Sequence, residues 1–254
     1  MLAIDKTKSS MISDNHFDEL KSEKFLQLRP HWRLSILTFL ETTVPFILLI
    51  SLTGPAIKLS ALFCVPVILL MGIYFHKLSI LLHDIAHMTF FPSRRTNIIV
   101  GNLIAWICLT DFKSFRKSHM SHHANAGRNE DKEIGDFIRD GNPKKMISFF
   151  LKNLFCLNLT QGNPERSSFL LSKSIIGLLA TQSIIFSTVA FSSEGVLFGL
   201  LWVFSVVTVG VFFSRLRTFL EHFNVHGENE VVTRSHYCGG IEKFIFFGGY
   251  MNYH

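Results

Sequence analysis

Residues 56–87 of the 254-residue chain read AIKLSALFCVPVILLMGIYFHKLSILLHDIAH, and this stretch decides the fold. Its first part, residues 56–82, is an apolar block that exceeds the roughly 20 residues needed by a membrane-spanning helix. Two histidines follow at once, His83 and His87, and their spacing of four places both imidazoles on one face of a helix. Neutral imidazole is the commonest protein ligand for metals. The stretch therefore predicts a membrane helix with a metal-binding end.

The composition of the whole chain also indicates a membrane protein, because 48% of the residues are hydrophobic and only 17% are charged. The polar segment 1–33 lacks the apolar core and cleavage site of a removable signal peptide, so the first span is expected to stay in the mature protein. We predict an all-α integral membrane protein with a single domain, residues 1–254. Its four transmembrane helices are expected at about residues 34–52, 56–82, 169–191 and 196–213.

Basic residues set the expected orientation in the membrane. Most of the 25 Lys and Arg residues fall before residue 34, within residues 83–168 or after residue 213, and basic residues mark the cytoplasmic side. Both termini and the clustered histidines are therefore expected in the cytoplasm, on a helical cap. A shorter apolar block in this cap, residues 97–109, predicts a helix lying against the membrane. The net charge of +6 follows from this asymmetry and from anionic headgroups, and it does not indicate a nucleic acid partner.

A second histidine cluster strengthens the metal prediction. His119, His122 and His123 follow the first pair by about thirty residues, and spacings of three and four again place imidazoles on one helical face. Five of the twelve histidines thus fall into two short windows that are compatible with helices. The sequence predicts that these five side chains bind metal together.

The order of motifs along nearly the whole chain resembles the membrane fatty-acid desaturase family, whose histidine boxes also occur in related hydroxylases and ketolases. The pattern is His-Asp-x-x-His from His83, His-x-x-His-His from His119, two further spans, Arg-Leu-Arg-Thr-Phe-Leu-Glu-His up to His222, and Asn-Tyr-His up to His254. The family's third box continues as His-x-x-His-His, whereas this sequence stops at the first histidine. We therefore expect the sequence to be cut short inside the third box.

The resemblance implies a non-haem centre of two iron ions that uses O2 and two external electrons to remove two hydrogens from an acyl chain. Such chemistry needs an oxidant that side chains alone do not supply. The sequence has no iron–sulfur cysteine pattern and no dinucleotide fingerprint, so a ferredoxin or a small cytochrome is the expected electron donor. The implied metal ligands are His83, His87, His119, His122, His123, His222 and His254.

Two other functions stay open at this point. A hydroxylase or ketolase acting on a carotenoid or an alkyl chain would use the same boxes and would differ in the shape of its substrate tunnel. A truncated or inactive member of the family would keep the scaffold and bind metal poorly. The sequence does not separate these alternatives from a desaturase.

Several polar residues near the boxes also have two interpretations. Asp84 either orients a ligand through a hydrogen bond or is a solvated charge at a helix end, and Glu221 and Asn224 have the same two options. His76 is expected to be a hydrogen-bonded interior residue rather than a ligand, and His226 would be a spare ligand if the last helix continued. The residues that either line an acyl pocket or lie at the membrane interface are Asn102, Trp106 and Asp111.

Overall fold

Helices form nearly all of the chain that this computed structural model describes, namely residues 32–125, 142–154, 174–190 and 195–222 with 236–237, 240, 244–245 and 250–251. Two strands of two residues each, β1 (His236–Tyr237) and β2 (Tyr250–Met251), pair in antiparallel fashion. The helices are α1 (Trp32–Leu59), α2 (Cys64–Ala86), α3 (Arg94–Ile107), α4 (Phe112–Asn125), α5 (Pro143–Leu154), α6 (Ser174–Ala190), α7 (Gly195–Ser205) and α8 (Val211–His222).

Three helical stretches among the described residues are long and apolar enough to cross a membrane. They are α1, α2 and the rod Gly195–Glu221, in which a π-helical turn at Val206–Gly210 joins α7 to α8. The helices α3 and α4 meet at a bend of 99° and form a fourth candidate if they count as one broken span. The apolar part of α6, Ile176–Ile185, is shorter, and the start of the predicted third span lies outside the described residues. These helices indicate an integral membrane protein.

The first two spans are divided at a different place from the one predicted. The sequence placed a break between residues 52 and 56, whereas α1 continues past Pro55 and the chain turns at Ser60. Proline removes one backbone donor from a helix, but here it does not end the helix. The Ser60 hydroxyl accepts a hydrogen bond from the Leu62 amide at 3.2 Å, and the Phe63 amide donates to the Ser60 carbonyl at 3.0 Å. As a result, α2 begins later and carries the first histidine box at its end.

Helix α2 lies at the centre of the fold and packs closely on the rod formed by α7 and α8. A methyl group on Gly72 would lie 2.4 Å from the Cβ atom of Val209, and one on Gly210 would lie 2.6 Å from the ring of Phe75. At this crossing a side chain of each helix packs directly on a glycine of the other, which lets the two helices approach closely. This close contact places the histidine-bearing end of α2 beside α8.

Candidate metal centre

Four of the five clustered histidines converge at one point. His83 lies in the last turn of α2 and His87 caps this helix, while His119 and His123 lie one turn apart on α4. One ring nitrogen of each histidine lies within 4.8 Å of the corresponding nitrogens of the other three. The His119 side chain is buried and the other three are partly buried. The fold thus brings together two pairs of candidate ligands from separate helices.

The closest contacts in this group are between ring nitrogens. The Nε2 atom of His119 lies 3.0 Å from Nε2 of His87 and 2.9 Å from Nε2 of His123. A neutral imidazole nitrogen carries either one proton or one lone pair, so a single Nε2 atom makes one good hydrogen bond and not two. A cation between the rings would accept a lone pair from each of them. The donor set therefore fits a metal ion better than a network of hydrogen bonds.

The spacing of the nitrogens also fits a transition metal. Bonds from a metal to imidazole are about 2.1 Å long, so ligands at right angles are about 3.0 Å apart and opposite ligands are about 4.2 Å apart. The pairs at 2.9 and 3.0 Å match neighbouring positions, and the 4.8 Å limit for the whole group is only slightly wider than an opposite pair. Imidazole suits iron, zinc, copper and nickel, so the donors alone do not choose the metal.

Neighbouring groups hold two of the four rings in place. The Oδ1 atom of Asp84 lies 3.0 Å from Nδ1 of His83, which favours a proton on Nδ1 and leaves the lone pair on Nε2, as a metal ligand requires. The ring of Phe115 stacks on the ring of His119, with 5.9 Å between the centroids and an angle of 7° between the planes. Of the two interpretations of Asp84, the structure favours the orienting role.

The fifth histidine of the two clusters, His122, lies beside the four-histidine group. Its side chain is buried and lines a neighbouring cavity together with Glu221. Glu221 is also buried and forms an ion pair with Arg217, so it is not a solvated charge at the helix end. His222 is the last residue of α8. The side chain of His222 lies outside the described part of the chain, as do the residues Asn224, His226 and His254.

Comparison with known proteins agrees with this geometry, since the family model described as "Fatty acid desaturase" matches residues 59–254. The chain belongs to the fatty acid desaturase family. The resemblance predicted from the histidine boxes is therefore confirmed. A curated "Fatty acid desaturase" of Bacillus subtilis (strain 168) is 27% identical to this desaturase-family chain over 108 residues, which are 42% of this chain and 31% of that protein. The match thus spans about a third of the relative's length, and no solved structure matches the chain.

The turn after the first box of this desaturase-family protein depends on Asn97, a residue that sequence reasoning missed. Asn97 is fully buried, and its Oδ1 atom accepts a hydrogen bond from the Phe91 amide at 2.9 Å. Its Nδ2 atom lies 2.7–3.2 Å from the carbonyl oxygens of Met88, Phe91 and Ser93. Met88 has a φ of 61°, so the chain leaves α2 in the left-handed conformation directly after His87. The sequence marks this turn only by one polar residue at the start of the apolar block 97–109.

Two hydrogen bonds fix the position and the start of α4, the helix that carries the second histidine box. The Nε atom of Arg116 donates a hydrogen bond to the carbonyl oxygen of Ala86 at 2.9 Å, which ties the second box to the end of the first. Asp111 immediately precedes α4 and caps it, because its Oδ2 atom accepts a hydrogen bond from the Ser114 amide at 2.8 Å. The structure therefore gives Asp111 a capping role, which neither of its two sequence interpretations included.

The two other candidates on α3 also have structural contacts. The Nδ2 atom of Asn102 donates to the carbonyl oxygen of Ile98, one turn earlier in the same helix. The carbonyl oxygen of Trp106 accepts a hydrogen bond from Gln182 on α6, and a methyl group on Gly177 would lie 2.4 Å from the Trp106 ring. Trp106 thus joins α3 to α6.

Proposed function

We propose that the protein is an acyl-lipid or acyl-thioester desaturase with a centre of two non-haem iron ions. The convergence of four imidazole nitrogens within 4.8 Å of one another, inside the region matched by the family, is the observation that carries this proposal. In the overall reaction one –CH2–CH2– unit, one O2, two electrons and two protons give one –CH=CH– unit and two water molecules. Iron, when bound, supplies the activation of O2 that the side chains cannot provide.

The side chains of this chain hold the metal and fix the geometry around it. The Asp84 carboxylate keeps the proton of His83 on Nδ1, and Arg116 and Asn97 fix the backbone on either side of His87. Outer partners of this kind make metal affinity depend on residues that do not touch the metal. The proposed ligands are His83, His87, His119, His122, His123, His222 and His254.

A substrate with a long acyl chain is consistent with the surface of the helices. The outer face of α1 exposes apolar side chains, among them Leu37, Ile47 and Leu48. A lipid bilayer would cover such a face and would also dissolve the acyl chain of the substrate. We further propose that both termini and the metal site lie on the cytoplasmic side, where a ferredoxin or a small cytochrome docks on the basic face and supplies electrons one at a time.

Lipid analysis after expression tests the proposed reaction. Membranes that contain the protein, with an electron donor and O2, are incubated with labelled saturated fatty acids, and the lipids are measured by mass spectrometry. A loss of two hydrogens is expected, whereas a gain of oxygen would indicate a hydroxylase.

Matched variants on α4 test the metal assignment in the same assay. H119A and H122A should each abolish the product and lower the iron content, because each removes a proposed ligand. S121A is the control, since Ser121 lies between these histidines on the exposed side of α4. Wild-type iron content and turnover in both histidine variants would show that the metal assignment is wrong.

A further inference from the structure

A cavity of about 160 Å³ lies between α2 and α8, and we call it the α2–α8 slot. Each of the two helices presents lining residues at positions i, i+3, i+4 and i+7, which form one continuous stripe on a helix. Seven residues of α-helix rise about 10 Å, so the slot runs for two helical turns. The described residues lining it are His76, Ser79, Ile80 and His83 of α2, Phe115, His119 and His122 of α4, and Ser214, Arg217, Thr218 and Glu221 of α8.

The slot leads from the proposed metal ligands into the membrane domain, and its lining combines apolar surface with buried polar side chains. At one end lie the proposed ligands His83, His119 and His122, and two turns along α2 from His83 lies His76, which is 1% exposed. Buried polar groups require hydrogen-bonding partners, and an acyl chain offers none. A water molecule occupies about 30 Å³ in the liquid, so the slot has room for several.

The hydrogen bonds within the lining show what kind of molecule the slot accepts. The hydroxyls of Ser79, Ser214 and Thr218 each donate to the backbone carbonyl four residues earlier, at 3.1, 2.9 and 3.1 Å. Because the proton of each hydroxyl is used in this way, the oxygens present lone pairs to other partners. The Ser214 oxygen lies 3.1 Å from Nδ1 of His76, so Nδ1 carries the proton of this contact and the Nε2 atom of a neutral His76 is an acceptor. A molecule that donates hydrogen bonds, as water does, therefore suits these acceptor groups of the slot.

The charged residues of the lining neutralise each other. The Nε atom of Arg217 donates to an Oε1 atom of Glu221, and these side chains are only 11% and 6% exposed. A buried ion pair with this geometry leaves no net charge to attract an anion or a second cation. The charge balance thus also favours a neutral polar occupant.

We propose that the α2–α8 slot is a water chamber that relays the two protons consumed in each turnover from bulk water to the metal site and takes up the two water molecules released. This inference rests on the proposed function, in which one O2, two protons and two electrons from the external donor are consumed for each double bond formed. Thr218 and Ser214 hold the water through their lone pairs, and Ser214 also positions His76. These residues act on proton supply and do not bind the metal.

Radiolytic hydroxyl labelling tests whether the slot holds water, independently of activity. Radicals formed from bound water label adjacent side chains, so Ile80 should be labelled although it is only 6% exposed. Ile104 is fully buried and does not line the slot, so it serves as the unlabelled internal reference. Labelling of Ile80 no stronger than that of Ile104 in the wild-type protein would overturn the chamber, whatever the activity.

Three variants test the delivery of protons. T218V replaces a hydroxyl of the lining by a methyl group. We expect turnover to fall at least fivefold and the solvent deuterium isotope effect on turnover to rise. Iron content and KM should stay unchanged. T218S restores the hydroxyl and should restore both rate and isotope effect. T208V is the matched control, because Thr208 makes the same kind of bond to the carbonyl four residues earlier but lies outside the lining.

The outcomes separate this inference from the proposed function. Unchanged turnover and isotope effect in T218V would overturn proton delivery through the slot. Loss of iron in T218V would also overturn it, because Thr218 would then act on metal binding and not on proton supply. If wild-type protein with full iron content formed no double bond, the proposed function would fail. In that case the labelling of Ile80 would still decide whether the chamber exists.

Discussion

The buried side chain of Asn97 provides a quantitative test of how the turn after the first histidine box is held. The variant N97A leaves the Phe91 amide in a buried position without its acceptor, which costs about 1–3 kcal/mol. It also removes the two N–H groups of Nδ2, which are shared among the carbonyl oxygens of Met88, Phe91 and Ser93, and each of these two groups contributes about 1 kcal/mol. We therefore expect N97A to lower the free energy of unfolding by about 3–5 kcal/mol.

Thermal unfolding of the detergent-purified protein measures this effect. For a chain of this size 1 kcal/mol shifts the midpoint by about 2–4 °C, so the midpoint of N97A should fall by roughly 10 °C. Iron should also pass faster from N97A to a chelator, because the turn directly follows His87. The matched control is N102A on the same helix, whose Nδ2 atom bonds the carbonyl of Ile98 on the exposed side and whose loss should change stability by about 0.5 kcal/mol at most. Equal midpoints for N97A and N102A would refute this account of the turn.

Three further predictions address packing, metal affinity and topology. G72A should destabilise the protein by about 1–3 kcal/mol, because its methyl group meets the neighbouring helix. G54A has open space around its methyl group and should be neutral or slightly stabilising in the same thermal assay. Equal unfolding midpoints for the two variants would contradict the close packing at Gly72. D84N should weaken iron binding about tenfold in competition with a chelator, because it replaces the carboxylate that fixes the proton on Nδ1 of His83. An unchanged iron affinity would exclude this orienting role of Asp84. Engineered cysteines at Ser193 and Ser10 should be labelled from opposite sides of sealed vesicles, and labelling from one side would contradict the proposed topology.

The local part of the site could be predicted from the sequence, whereas its assembly could not. Pairs such as His83 and His87 are recognised because a spacing of four residues fixes a shared helical face. The contact between His87 and His119, at 3.0 Å, depends instead on the length of α3 and on two turns whose geometry has no periodic signal. Asn97 belongs to these turns, and a pattern search treats it as one polar residue in an apolar helix.

The second box shows a similar limit within one helix. His122 and His123 are adjacent, so their side chains leave the helix axis about 100° apart. The sequence assigns both to one metal-binding face, but the structure places His123 in the four-histidine group and His122 on the wall of the α2–α8 slot. Which of two adjacent residues joins the group depends on how α4 is rotated against α2, and the Arg116 bond to Ala86 is one contact that fixes that rotation.

The polar stripe of α8 is a sequence signal for the position of this helix. Ser214, Arg217, Thr218 and Glu221 follow a long apolar run at spacings of three and four, and α2 has a matching stripe that begins at His76. Polar groups in membrane helices face the interior of the bundle, because exposing them to hydrocarbon is unfavourable. Two such stripes in apolar helices therefore predict that the helices face each other across a polar interior. The stripes thus place Glu221 in the interior of the bundle and α8 beside the first histidine box.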